Sequence, residues 1–258
     1  MTSAHLPSVL RRLAPVATVL LLACGGVASA ADAADKPFSL LVFSKTAGFR
    51  HGSIAAGTAA VKKLGEDHGF GVDASEDAAL FTAETLKKYQ AVMFLNTTGH
   101  ILDDDQRKAF TAFIQAGNGF VGVHSATDTE YEWAWYGKLV GAYFAGHPAP
   151  QKATVRVVDH NHPATAGIPD AIERKDEWYN FKSLGTDLHI LAKLDESTYQ
   201  GGAMGGEHPI EWYHDYDGGR AFYIEMGHTD ESYAEPVYLQ QLLGGIEYAA
   251  GRKLPTKK

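Results

Sequence analysis

The chain has 258 residues, 45% hydrophobic and 21% charged, a balance that suits one large globular core and excludes collagen-like and low-complexity classes. Its 31 acidic residues outnumber 23 basic ones; the first thirty hold Arg11 and Arg12 and no acid, so losing them takes the formal charge from −8 to −10 and argues against a nucleic-acid partner. The single cysteine, Cys24, rules out an intrachain disulfide framework and any cysteine-rich zinc or iron–sulfur centre.

In chain order, the basic segment MTSAHLPSVLRR precedes a short apolar run, LAPVATVLLLA, and the small residues Ala28, Ser29 and Ala30. This is the pattern of an export signal over residues 1–30, and it predicts a periplasmic or secreted protein. The run is shorter than the about 20 residues a bilayer-spanning helix needs, and no later segment replaces it, so no transmembrane segment is expected in the mature domain. Leu21, Leu22, Ala23 and Cys24 also resemble a bacterial lipoprotein processing box, which leaves a cell-envelope lipoprotein anchored at Cys24 as the alternative.

FSLLVF at 38–43 reads as a buried strand, followed by a polar turn and a helix from Ser53, whose hydroxyl is placed to cap the first amides; Gly69 favours the exit. GVDA then reads as a strand, TLKKY as a short helix, AVMFL as a buried strand, DDDQRKAFTAFIQAG as a capped helix and GFVGV as another buried strand. Strands separated by helices favour parallel crossovers. From about residue 151 the signals become strand-rich (ATVRVVD, HILAKL, IEWYHDY, RAFYIEM) before YLQQLLGGIEYAA closes the chain as a helix. The expected fold is a three-layer α/β/α flavodoxin-like domain over residues 37–252, with a mostly parallel central sheet and additional strands in its C-terminal half. The aromatic-rich segment 125–150 is expected to pack over a sheet edge.

Ligands of open α/β sheets commonly sit beyond the carboxyl ends of the strands. Four strand exits carry polar side chains: Lys45, Arg50 and His51; Asn96, Thr97 and Thr98; His124 and Ser125; His228 and Thr229. His51, His124 and His228 have the chemistry to bind a divalent transition metal such as zinc, or to act as hydrogen-bonding histidines without one. His124 is also a candidate for proton transfer, and His147 in the AGHP turn is a further site candidate. Ser125 in GVHS lacks the second glycine of a GxSxG elbow and a base placed beside it, which weakens a nucleophile reading; Gly122 is read there as permitting a constricted turn. Asp128, Asp176, Glu177 and Glu225 supply carboxylates that can orient a histidine, and Trp178 and Tyr179 in DEWYNF suit a sugar ring or a packed loop equally. GNG at 117–119 precedes a strand, which argues against a dinucleotide site.

Across nearly the whole mature domain the sequence resembles the ThuA-like (trehalose utilisation) family, through VFSKTAGFRHGSI, FLNTTG, GNGFVGVHSATDTEYEW, DEWYNF and GRAFYIEMGH. The resemblance implies a fold similar to class I glutamine amidotransferases, with His124 near the position of their nucleophile. Histidine there in place of cysteine sets glutamine hydrolysis through a thioester aside. It also implies carbohydrate catabolism, with His51, His124 and His228 as the polar core of the site. The expected catalytic set is His124, His51, His228 and Glu177; the expected substrate-binding set is Lys45, Arg50, Asn96, Thr98, Asp128, His147, Trp178 and Tyr179. The expected activity is that of a hydrolase or lyase acting on a glycoside or keto-sugar by histidine-assisted C–O cleavage, elimination or hydration, without a nucleic-acid partner. The alternative is a noncatalytic carbohydrate-binding protein of the cell envelope.

Overall fold

The computed structural model describes residues 1–3 and 37–252, so the leader and its Leu21 to Cys24 box lie outside the described residues. The first apolar run forms β1 (Ser39–Phe43), which leads through a polar loop into α1 (Ile54–His68). Gly69 ends α1 with φ 72°, the left-handed geometry that glycine adopts at little cost. Ser53 does not cap this helix: its hydroxyl donates to the Gly227 carbonyl at 3.0 Å, because that strand exit lies directly against the helix start.

β2 (Gly71–Ser75), α2 (Ala83–Leu86), β3 (Ala91–Leu95), α3 (Asp104–Gln115) and β4 (Gly119–Val123) follow as the apolar periodicity predicts. Asp103 and Gln106 form a reciprocal capping box at the start of α3, an arrangement whose cap alone is worth about 1 kcal/mol. The aromatic connection forms α4 (Ala134–Val140) and β5 (Tyr143–Gly146). β6 (Gln151–Val157), β7 (Ala171–Asp176), β8 (Asn180–Lys182), β9 (His189–Asp195), β10 (Pro209–Tyr216), β11 (Gly219–Ile224) and α5 (Pro236–Ala249) complete the described chain.

Nine strands make one sheet in the order β2-β1-β3-β4-β11-β10-β9-β6-β7, and β5 pairs with β8 separately. The five strands from β2 to β11 are parallel; from β11 outward to β7 every pairing is antiparallel. The sheet is therefore evenly mixed, which corrects the expectation of a mostly parallel, flavodoxin-like one. Strands of the second half follow one another without a helix long enough for a crossover, and antiparallel pairing is what short connections allow.

Alternation along the strands sends Leu40 and Val42 of β1 to one face and Leu41 and Phe43 to the other. The first face is covered by Val61 and Leu64 of α1 and Leu242 and Ile246 of α5, the second by Phe110 and Ile114 of α3 and Leu139 of α4. The antiparallel half also curls. In a flat sheet β7 would stand four strand spacings, about 19 Å, from β11. Yet Arg174 on β7 pairs with Glu235 at 3.2 Å and lies over the Tyr238 ring at 5.2 Å, at the start of the helix that covers β11. The outer edge of the sheet thus returns to its centre.

Candidate functional site

Four strand exits converge. His51 follows β1, His124 follows β4, His228 follows β11, and Glu177 is carried in from the curled edge by β7; one ligand atom from each lies within 4.8 Å of all the others. Glu177 Oε2 is 3.3 Å from His124 Nε2 and 3.0 Å from His228 Nδ1, and those two nitrogens are 3.3 Å apart. Zinc bonds of 2.0–2.1 Å in a tetrahedron put ligand atoms about 3.3 Å from one another. The three edges among Glu177, His124 and His228 match, and with His51 within 4.8 Å of each the donor set suits a divalent transition metal such as zinc.

The backbone is bent to achieve this. His124 has φ 49° and Asn96, at the neighbouring exit of β3, has φ 51°. A left-handed conformation costs a non-glycine residue about 1–2 kcal/mol. The constriction at GVHS is thus borne by His124 itself, not by Gly122, whose missing side chain makes room for Tyr223: a Cβ there would sit 3.0 Å from that ring. His124 is fully buried, and its Nδ1 donates to the Glu225 carbonyl at 2.7 Å. Ser125, also buried, lies with its hydroxyl 3.3 Å from His51 Nδ1.

Charge follows from this packing. Burial, reinforced by the neighbouring His124 and His228, pushes His51 down to about 3 and keeps its ring neutral. Burial alone would raise Glu177, but the contacts with His124 and His228 outweigh it and hold the carboxylate ionised. The Glu177 contact in turn raises His228. Glu225, buried behind His124, accepts from the Tyr179 amide at 3.0 Å while its second oxygen has no partner; burial pushes it well above the usual carboxylate range.

Above the cluster lies a cavity of about 270 Å³ lined by Phe49, His51, Asp128, Phe144, His147, Glu177, Tyr179 and His228. Burial raises Asp128, opposed by the Tyr131 hydroxyl that donates to it at 2.6 Å. His147 Nδ1 is 3.1 Å from Glu177 Oε1 and 3.0 Å from the Pro148 carbonyl, so that nitrogen is the donor.

Other residues singled out in the sequence lie elsewhere. Lys45 donates to the Ile101 carbonyl at 3.0 Å, and Arg50 pairs with Glu76 beside a separate surface cleft. Asn96 is buried beneath the site, donating to Ser53 Oγ and the Gly227 carbonyl. Thr98 donates to the Phe49 carbonyl at 2.8 Å and accepts from the Gly48 amide, so it shapes the loop that carries Phe49. Trp178 is fully buried and donates to the Gln151 carbonyl. Sequence reasoning passed over Phe49 and Phe144; the signal for Phe49 was its place two residues before His51 in the same strand exit.

The profile of the ThuA family, described as trehalose utilisation, matches residues 39–249. The chain belongs to the ThuA family. Two solved ThuA-like proteins resemble it over most of both chains. One, from Bacteroides uniformis, is 25% identical with a TM-score of 0.71, covering 83% of this chain and 91% of that one. The other, from Parabacteroides merdae, is 21% identical with a TM-score of 0.73, covering 86% and 93%. A β-galactosidase from Bacillus circulans sp. alkalophilus shares the fold alone, at 10% identity and a TM-score of 0.56, over 83% of this chain and 31% of its own. No curated protein matches this ThuA-family chain. Among the described residues, no helix is long and apolar enough to cross a membrane.

Proposed function

We propose that this ThuA-family protein is a carbohydrate catabolic enzyme that acts on a glycoside or keto-sugar by histidine-assisted C–O bond cleavage, elimination or hydration. The observation that carries the reading is the convergence of His51, His124, Glu177 and His228 at the base of a small aromatic-walled cavity. Its volume, near 270 Å³, falls just below the ~300–1,000 Å³ of drug-sized pockets and suits one sugar ring.

His51, His124, Glu177 and His228 are the residues that would hold a divalent metal; bound there, it would supply Lewis-acid polarisation of a sugar carbonyl or hydroxyl. Two other groups lining the cavity are left to move protons. His147 commits Nδ1 as a donor, which leaves Nε2 as the ring atom to act as base for a C–H next to a keto group. Asp128, held above the ordinary aspartate range by burial, is suited to protonate the departing oxygen. In elimination, His147 takes the proton, the C–H electron pair forms the new double bond, and the C–O bond breaks as Asp128 gives its proton to the leaving oxygen. Water added back across the double bond completes hydration. Phe49, Phe144 and Tyr179 wall the ring and limit water.

The leader pattern supports export to the periplasm or secretion, with a lipid on Cys24 as the other outcome, and the domain is taken to span residues 37–252. The test is to incubate purified protein with glycosides and their 3-keto derivatives, with and without added zinc, and to weigh the products. Metal-dependent product formation is expected. Saturable binding without turnover across the panel would overturn the enzyme reading in favour of a carbohydrate-binding protein.

A further inference from the structure

The proposed function leaves unused two fully buried carboxylates beside the site, Glu225 and Asp176, and only Asp176 has both oxygens hydrogen-bonded. Asp176, the last residue of β7, accepts from the Glu177 amide at 3.0 Å and the His228 amide at 3.1 Å through Oδ1. Its Oδ2 accepts from the Gly227 amide at 3.1 Å, from Ser232 Oγ at 3.0 Å and from Arg174 Nη2 at 3.0 Å. Five donors converge on this one carboxylate. Two of the amides belong to Glu177 and His228, members of the metal-binding quartet, and a third belongs to Gly227, immediately before His228.

Nothing local brings these segments together. Glu177 arrives from the sheet's outer edge and His228 from its centre, and only the curl closes the distance. Asp176 spans that join and pairs with Arg174 at 3.0 Å. Main-chain position fixes where a side chain starts. Tying both amides to one oxygen therefore sets the separation of Glu177 Oε2 and His228 Nδ1, 3.0 Å in this structure.

We infer that Asp176 is a positioning residue of the site: it contacts no substrate and no metal, and it holds Glu177 and His228 at ligand spacing. The inference rests on the metal-binding reading above. Asp176→Asn keeps the shape but turns an NH2 toward donors and removes the charge opposite Arg174. Outer-shell losses of this kind typically weaken metal affinity by about 10–100-fold. Ser232→Ala, which removes the hydroxyl that donates to Asp176 and accepts from Arg174 Nη2 at 2.7 Å, is expected to weaken it by about threefold.

The experiment measures zinc affinity of purified wild type, D176N and S232A by competition with a chromophoric chelator, alongside the melting temperature of each metal-free protein. Weakened affinity in folded D176N is the expected result. A fall in melting temperature with unchanged zinc affinity would overturn the inference and leave Asp176 a purely structural residue. If D176N does not fold, S232A decides, and unchanged affinity there overturns the inference. If the wild type takes up no zinc, the metal-binding reading fails on its own. Asp176 is then judged by the imidazole nitrogen spectra of His124 and His228, or of S232A if D176N is unfolded; shifted ring signals support it, and ring signals that match the wild type overturn it.

Discussion

His124 donates its Nδ1 hydrogen to the main-chain carbonyl of Glu225 at 2.7 Å. A carbonyl only accepts, so a proton sits on Nδ1, and Nε2 is the ring atom turned toward Glu177 and His228. The tautomer needed of a metal ligand is thus set by a backbone bond that exists before any ligand arrives.

Zinc should therefore stabilise the fold. At about 100 times its Kd it should add about 2.7 kcal/mol, some 5–10 °C in Tm for a chain of this size. A chelator should reverse the gain, and His228→Ala should abolish it by lowering affinity more than about 100-fold. Calorimetric scans with and without zinc make the comparison; identical melting curves for wild type in both would remove the metal from the site.

Asp128 offers a pH signature. The Tyr131 hydroxyl stabilises its charged form, against the upward push of burial, so Tyr131→Phe should raise the Asp128 pKa further, by less than about one unit. An acid must be protonated to act, so the alkaline limb of the kcat/KM profile should move to higher pH in the variant. A limb that stays in place, or moves down, would show that Asp128 is not the acid.

Stability should carry a second pH dependence. Glu211 is fully buried on β10, and burial pushes it up to about 8. Gln241 donates to its Oε2 at 2.6 Å, while Glu211 Oε1 and Gln241 Oε1 are both left without partners. A proton on Glu211 Oε1 gives the pair the donor it lacks. Between about pH 4.5 and 8 the folded protein holds a proton that the unfolded chain releases, so Glu211 lowers stability as pH rises through that window. Glu211→Gln should accordingly melt several degrees above wild type at pH 8 and close to it at pH 5. Equal differences at both values would refute the linkage.

Phe49 tests how far the substrate extends. The residue is 66% exposed at the cavity mouth, its edge-on contact with His51 has centroids 4.9 Å apart, and its carbonyl is held by Thr98. Aromatic contacts of this kind are worth about 0.5–1.5 kcal/mol. Phe49→Ala should raise KM for two-ring glycosides about 2–10-fold relative to one-ring substrates. An unchanged ratio would mean that the second ring does not rest there.

The strand exits were legible because each of the cluster's three histidines follows an apolar run that could hardly be anything but a strand: His51 after FSLLVF, His124 after GFVGV, His228 after RAFYIEM. Glu177 could be named from DEWYNF, yet its means of delivery could not. AIERKD mixes charge with apolar residues and hides β7, and the curl that returns this edge to the centre comes from contacts far apart in sequence, such as Arg174 with Glu235. Trp178 and Tyr179 show the same limit at single-residue scale. Both are buried, but only Tyr179 lines the cavity, and nothing in two adjacent aromatic residues says which one turns toward it.

The even mix of strand directions has one more consequence. An outermost strand normally leaves a row of amides and carbonyls open to water and to other chains. Here β7 pairs with β6 on one side only, while its end is gripped by the strand exit of β11. Whatever strengthens that grip also quiets the edge, so amide hydrogens along β7 should exchange more slowly when the site is filled. Emptying it would expose the part of the sheet most able to recruit a neighbour, linking loss of ligand to aggregation.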